Sequence, residues 1–340
     1  MFLDCSAGPR NSPITELFRV GKARQPLMCD PQVSIDAGQQ VHPAGPGGLR
    51  YELVPDWARL PEGWDLGHTA IAVDSRDRVY LFNRSEHPLI VLEADGTFAD
   101  SWGEGLLTSA HHAHIDGEDF LYLPVLHSHV VLKCTTDGTV VQTLGQWDQA
   151  SNPDWNGDHR QWMRELVPRS HGPFCLPTGV ATGQDGSVYV SDGYGNARIH
   201  RFDSHGTLLG SWGQPGTSGP GAFFTPHGIA VDEDGRVFVA DRQNDRLQIF
   251  SPDGQYLEEW DGFHEPCDIH IAQGLVYVAE GAGVHRASGL LQIRSLRGDV
   301  LSVWDRGPAG RGAHDVCVDS TGAVYINALD GNRLLKFAPA

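Results

Sequence analysis

The chain is 340 residues long, 40% of them apolar, with 41 glycines, 21 prolines and a formal net charge of −18. This is the composition of a turn-rich globular chain, and an acidic balance with no basic run excludes a binder that works by neutralising phosphates. No stretch approaches the roughly 18 apolar residues of a membrane span, so neither nucleic acid nor membrane is an expected partner.

The start, Met1-Phe2-Leu3-Asp4-Cys5, lacks the cationic opening and apolar core of a signal peptide. Six cysteines are scattered without Cys-x-x-Cys spacing, and Cys134 and Cys317 stand in strand-like runs where a buried thiol is expected. A reduced, cytoplasmic protein is the expectation. Residues 1–48, rich in Pro and Gly, read as an N-terminal extension, and 49–340 as one repeat domain.

From Thr69 onward one unit recurs: an apolar strand, an acidic turn, a second strand, a polar loop, a third strand, a Gly turn and a fourth strand. It runs clearest from Pro226-His227-Gly228-Ile229-Ala230-Val231 through Asp232-Glu233-Asp234-Gly235, Val237 to Asp241 and Arg246 to Phe250, ending at Tyr256 to Trp260. Thr69 to Trp102, His111 to Gly145, Thr178 to Trp212, Cys267 to Trp304 and His314 to Phe337 repeat it. A period of roughly 35 to 45 residues with four strands per unit predicts an all-β, six-bladed β-propeller. The last unit lacks a fourth strand. Leu49 to Val54 is expected to supply it and so close the ring without an exposed edge. Residues 146–175 form an insertion between blades two and three, carrying Trp147, Trp155, Trp162 and His171, and read as a lid or pocket wall.

The register singles out a few side chains. Counting back five from the acidic residues Asp74, Asp116, Asp232 and Asp319 gives Thr69, His111, His227 and His314; blades three and five add Thr178 and Cys267. This position opens the innermost strand, so its copies crowd the axis. Histidines in alternate blades, about 120° apart in a six-fold ring, converge as three neutral nitrogens suited to a metal with an open position. A histidine after proline also serves as a simple turn residue. Strand alternation sends His112 to the opposite side. Fifteen residues after Thr69 and His227 stand Arg84 and Arg242, placed to hold a carboxylate. In blade three that loop is Asp192-Gly193-Tyr194-Gly195-Asn196, where Tyr194 either packs or points into the channel.

The motifs Phe82-Asn83-Arg84, Ser191-Asp192-Gly193-Tyr194, Thr225-Pro226-His227, Val239-Ala240-Asp241-Arg242 and Ala313-His314-Asp315 resemble, in order and blade by blade, those of the peptidyl-α-hydroxyglycine α-amidating lyases, which are NHL-repeat propellers. The resemblance implies zinc on His111, His227 and His314, Tyr194 as a phenolate base, and Arg84 and Arg242 on a small carboxylate-bearing substrate. It also implies a structural calcium on the Asp315 side chain and the carbonyls of Ile71 and Ala113. Two departures stand out: Gly195 occupies the place of a cysteine that would pair with Cys175, and Ala110-His111-His112-Ala113 replaces a Pro-His-Gly motif. The expected activity is zinc-dependent lysis of an α-hydroxyglycine-type carbinolamide, on a peptide or a small molecule, to an amide or amine and glyoxylate. The alternative is a non-catalytic NHL interaction scaffold.

Overall fold

The computed structural model describes residues 49–158, 165–281, 289–305, 312–328 and 333–340. Blade one runs through strands Thr69–Val73, Val79–Asn83, Leu89–Leu92 and Phe98–Trp102. Blade two has His114–Ile115, Leu121–Val125, Val130–Cys134 and Val140–Gly145. Blade three has Gly179–Thr182, Val188–Asp192, Arg198–Phe202 and Leu208–Trp212. Blade four has Pro226–Val231, Val237–Asp241, Arg246–Phe250 and Tyr256–Trp260. Blade five has Pro266–Ala272, Leu275–Glu280, Gly289–Ser295 and Val300–Asp305. Among the described residues these strands, with those of blade six, form six four-stranded antiparallel sheets, and the fold is a six-bladed β-propeller.

The acidic turn that marks four of the repeats has a local cause. Asp74 Oδ1 accepts from the backbone N–H groups of Arg76 and Arg78, while Tyr80 on the next strand donates its hydroxyl to Oδ2 at 3.1 Å. Asp116 with Tyr122 and Asp319 with Tyr325 repeat the arrangement. The fourth residue of the turn is left-handed, which is why Gly235 and Gly322 (φ 80° and 83°) stand there in two blades. Second strands such as Val79–Asn83 and Val237–Asp241 are wholly buried. Fourth strands such as Phe98–Trp102 are largely exposed, so the apolar run weakens outward along each blade.

Blade six is built from Ala313–Val318, Val324–Ala328, Arg333–Pro339 and, antiparallel to the last of these, Tyr51–Val54. Tyr51 pairs with Pro339 and Val54 with Lys336. The Tyr51 ring lies 5.0 Å from Trp304, which in turn lies 5.0 Å from Phe337. Each such aromatic pair adds about 0.5–1.5 kcal/mol beyond its burial, so the closing strand is held by side chains as well as by its ladder. Residues 1–48 lie outside the described residues.

The innermost strands of blades four, five and six are bulged. Their pairing shifts between Pro226 and Ile229, between Pro266 and Asp268, and between Ala313 and Asp315. One extra residue on a strand bends it and breaks strict alternation. The residues caught in these shifts are His227 with Gly228, Cys267, and His314.

Candidate functional site

The three repeat-register histidines meet on the axis. Ring centroids lie 4.7 Å apart for His111 and His227, 5.2 Å for His111 and His314, and 4.8 Å for His227 and His314. One nitrogen from each falls within 4.8 Å of the others, and all three residues are buried. Two of the tautomers follow from their partners. His111 Nδ1 lies 2.6 Å from the Thr178 carbonyl, and His227 Nδ1 lies 2.6 Å from the Cys267 carbonyl. A carbonyl only accepts, so both Nδ1 atoms carry the proton and donate it, leaving each Nε2 with a lone pair. Those two Nε2 atoms face the Tyr194 hydroxyl at 3.0 and 3.1 Å. Burial first, then neighbouring imidazoles and arginines, holds all three histidines well below their ordinary pKa. They are neutral at pH 7 and suited to a metal.

Tyr194 is 4% exposed. Burial raises its pKa, while Arg242 and Arg84 pull against the rise; the net shift is upward. Without a cation on the triad it is therefore a phenol, because burial outweighs the two guanidinium groups. Arg242 is itself buried, with Nη2 3.8 Å from Glu265 Oε2. Burial opposes its charge, but Cys267, Tyr194 and Glu265 outweigh that and hold its pKa above the ordinary value. Arg84 is more exposed and donates from Nε to the Ala110 carbonyl at 2.6 Å. The two arginines thus stand beside Tyr194 from different blades, one buried and one open to solvent.

The turn that carries Tyr194 is clamped. A Cβ at Gly193 would lie 1.7 Å from the Pro226 carbonyl oxygen, so only glycine permits this approach. The Asp192 carboxylate accepts from Cys175 N–H and from Asn196 Nδ2. The described part of the insertion grips the same turn: Asn152 Nδ2 donates to the Gly195 carbonyl at 2.7 Å, and Ser170 Oγ to that of Asn196 at 2.5 Å. Trp155 packs partly buried beside the turn, whereas Trp147 is exposed. Trp162 lies outside the described residues. What the structure shows of the insertion is a brace for Tyr194.

A family model described as "NHL repeat" matches residues 174–202 and 225–250. The chain is 29% identical over 281 residues to peptidyl-alpha-hydroxyglycine alpha-amidating lyase 1 of Drosophila melanogaster, covering 74% of this chain and 49% of that protein. It is 31% identical over 299 residues to peptidylglycine alpha-amidating monooxygenase of Rattus norvegicus, covering 79% of this chain and 30% of that one. The chain is an amidating-lyase-like NHL-repeat protein. It spans about half the length of the fly relative and under a third of the rat one. Among solved structures it is similar in fold to virginiamycin B lyase from Staphylococcus aureus, with TM-score 0.58, 13% identity, and coverage of 86% of this chain and 100% of that one. A gluconolactonase from Xanthomonas campestris is similar too, with TM-score 0.58, 15% identity, and coverage of 88% and 100%.

Within this amidating-lyase-like chain the departures have visible consequences. A Cβ at Gly195 would lie 2.3 Å from Cys175 Sγ, the place where the resemblance implies a disulfide partner. Among the described residues Cys134, Cys175, Cys267 and Cys317 are free and buried. No helix among them is long and apolar enough to cross a membrane.

Of three further residues near the axis, His68 and Asp268 are not singled out by the sequence, and His112 is set aside by it. The His68 ring lies 4.0 Å from His314, and burial, then Arg84 and Arg242, lowers its pKa to about 3. It directly precedes Thr69, so its only signal is adjacency to the register position. His112 and Asp268 directly follow the register residues His111 and Cys267, and they meet Asp315, which follows His314. His112 does not turn away from the channel as alternation predicts, because residues 110–113 precede the strand His114–Ile115. Asp315 Oδ1 accepts the Ile71 N–H at 2.8 Å, and Ala113 and Ile71 line the adjoining channel.

Proposed function

We propose that the chain is a zinc-dependent lyase that cleaves an α-hydroxyglycine-type carbinolamide, N–CH(OH)–COO−, to an amide or amine and glyoxylate. The observation that carries this reading is the Tyr194 hydroxyl set 3.0 and 3.1 Å from the inward nitrogens of His111 and His227, with Arg242 alongside. The name of the fly relative supports the reaction class.

The donor set fits zinc: three neutral imidazoles, two of them with lone pairs fixed inward by carbonyl partners. His111, His227 and His314 would hold the ion, which when bound supplies a Lewis acid that lowers the pKa of the substrate hydroxyl. The chain's own groups do the rest. Arg84 and Arg242 bind and orient the carboxylate with charge-assisted hydrogen bonds. Tyr194 Oη, once deprotonated, takes the hydroxyl proton. The carbon–oxygen bond becomes the carbonyl of glyoxylate. The carbon–nitrogen bond breaks, the nitrogen leaves with the bonding pair, and it regains the proton held by Tyr194. The clamped turn fixes Oη and so lowers the entropic cost of that transfer.

Purified protein supplied with N-acyl-α-hydroxyglycines of peptide and non-peptide kind tests the reading. Stoichiometric glyoxylate and amide release, abolished by His227→Ala, is expected; no release from any of them with the metal loaded would refute it. Free, buried thiols, with glycine facing Cys175, support placing the protein in a reducing, cytoplasmic compartment.

A further inference from the structure

We infer that the channel carries a second metal site, formed by His112, Asp268 and Asp315, and that it takes a divalent transition-metal ion rather than calcium. The inference stands independently of the activity proposed above.

The three residues come from blades two, five and six, are all buried, and offer one nitrogen and two carboxylate oxygens within 4.8 Å of one another. Each is aimed by one backbone amide from a neighbouring blade. Val180 N–H donates to His112 Nδ1 at 3.3 Å, Val316 N–H to Asp268 Oδ2 at 3.1 Å, and Ile71 N–H to Asp315 Oδ1 at 2.8 Å. Amides that anchor one atom of each side chain leave the other atom free to ligate, as partners behind metal ligands do.

The inner atoms are incompletely satisfied. With Nδ1 accepting, His112 carries its proton on Nε2 and donates it to Asp268 Oδ1 at 3.0 Å. Asp315 Oδ2 is buried with no hydrogen-bond partner among the described residues. A carboxylate oxygen left unpaired in a buried site is costly. An ion displacing the Nε2 proton would satisfy all three inner atoms and balance the two carboxylates. Space and access are present: a channel cavity of about 100 Å³ is lined by His112 and Asp268, leaving room for water ligands. Gly228 makes the geometry possible, since a Cβ there would lie 2.8 Å from Asp268 Oδ1.

The imidazole decides the metal. Calcium takes six to eight oxygens, whereas a set of one imidazole and two carboxylates suits zinc, manganese or iron(II). The calcium implied by the family resemblance rests on Asp315 with backbone carbonyls. Here His112 stands where the family motif has glycine, and with Asp268 it brings a nitrogen and a second carboxylate to the same carboxyl group.

Chelator-stripped protein would be dialysed against equimolar Zn²⁺, Mn²⁺ and Ca²⁺, and bound metal counted by mass spectrometry. Wild type should retain two transition-metal equivalents, and Asp268→Asn and His112→Gln one each. His227→Ala should lose the other equivalent, and the double variant Asp268→Asn/His227→Ala both. Asn keeps an acceptor for Val316 N–H, and a circular-dichroism melt checks that each variant folds. For wild type alone, calorimetric titration with Zn²⁺ should show two binding events. No ion lost in Asp268→Asn relative to wild type, or calcium in place of the transition metal that Asp268→Asn loses, would each overturn the inference. Loss of an ion in Asp268→Asn but not in His227→Ala would uphold it while refuting the triad.

Discussion

Replacing Tyr194 with phenylalanine separates metal binding from chemistry, because the hydroxyl faces the triad without being part of it. In metal-free protein the hydroxyl lies 3.0 and 3.1 Å from two imidazole nitrogens and can donate to only one of them. Its removal leaves buried acceptors unpaired, a cost of about 1–3 kcal/mol. In loaded protein those nitrogens are engaged by the ion, so the same substitution should cost well under 1 kcal/mol. The melting transition of the stripped variant should therefore fall below that of stripped wild type, while the loaded pair nearly coincide. Turnover should behave the opposite way. Loss of a positioned proton acceptor lowers kcat by about 10²–10⁴-fold, or about 2.7–5.4 kcal/mol at 1.36 kcal/mol per decade, with the metal content unchanged. Glyoxylate release under saturating substrate, with metal counted on the same sample, measures both. A loaded Tyr194→Phe enzyme turning over within threefold of wild type would refute the assignment of Oη as the proton acceptor.

Arg242→Lys keeps the charge but loses the planar fork, so KM for a carboxylate substrate should rise by about 10–100-fold, the worth of a charge-assisted hydrogen bond of roughly 1.5–3 kcal/mol; steady-state kinetics on an acid and its neutral ester reads this, and an equal effect on the ester would contradict it. Gly193→Ala drives a methyl into the Pro226 carbonyl, 1.7 Å from its Cβ. It should lower kcat through a displaced Tyr194 while the triad keeps its metal, with unchanged kinetics as the opposing result. In metal-stripped protein the histidines of the triad have pKa values held below the unfolded value near 6.5 by burial first and neighbouring positive or imidazole groups second. Unfolding then takes up protons below that pH, so stability is fully present above about pH 6.5 and falls as the medium is acidified, by up to about 1.4 kcal/mol per pH unit for each such group. Urea unfolding at pH 7, 6 and 5 measures it, and a flat profile would contradict the burial of neutral imidazoles.

What could be read in the sequence was whatever the repeat dictates. A propeller brings the same register position of every blade to the axis, so His111, His227 and His314 could be brought together by counting from Asp116, Asp232 and Asp319. The closing strand was legible for a related reason: a last blade ending at Phe337 without a fourth strand needs one, and Tyr51 to Val54 is a suitable apolar run. His112 and Asp268 were hidden because alternation is the only rule a sequence offers for which way a strand residue points. His112 lies before its strand begins, and Asp268 follows a bulge. The ionisation state of Tyr194 was equally out of reach, since it depends on how far burial outweighs Arg84 and Arg242.

The bulges connect the two proposed metal sites. In a regular strand, consecutive side chains face opposite sides of the sheet, and one strand could not offer both His314 and Asp315 to the same channel. The shift between Ala313 and Asp315 removes that restriction, as does the one that places Cys267 beside Asp268. A ring of register residues and a second ring of their immediate followers can then occupy successive levels of one axis: His111, His227 and His314 in one, His112, Asp268 and Asp315 in the next. The peptide bond between His314 and Asp315 belongs to both. An ion that fixes Asp315 also restrains the His314 backbone, whose imidazole Nδ1 has no hydrogen-bond partner among the described residues to hold it, unlike those of His111 and His227. An ion on Asp315 would thereby supply the orientation that the third ligand of the proposed histidine site lacks.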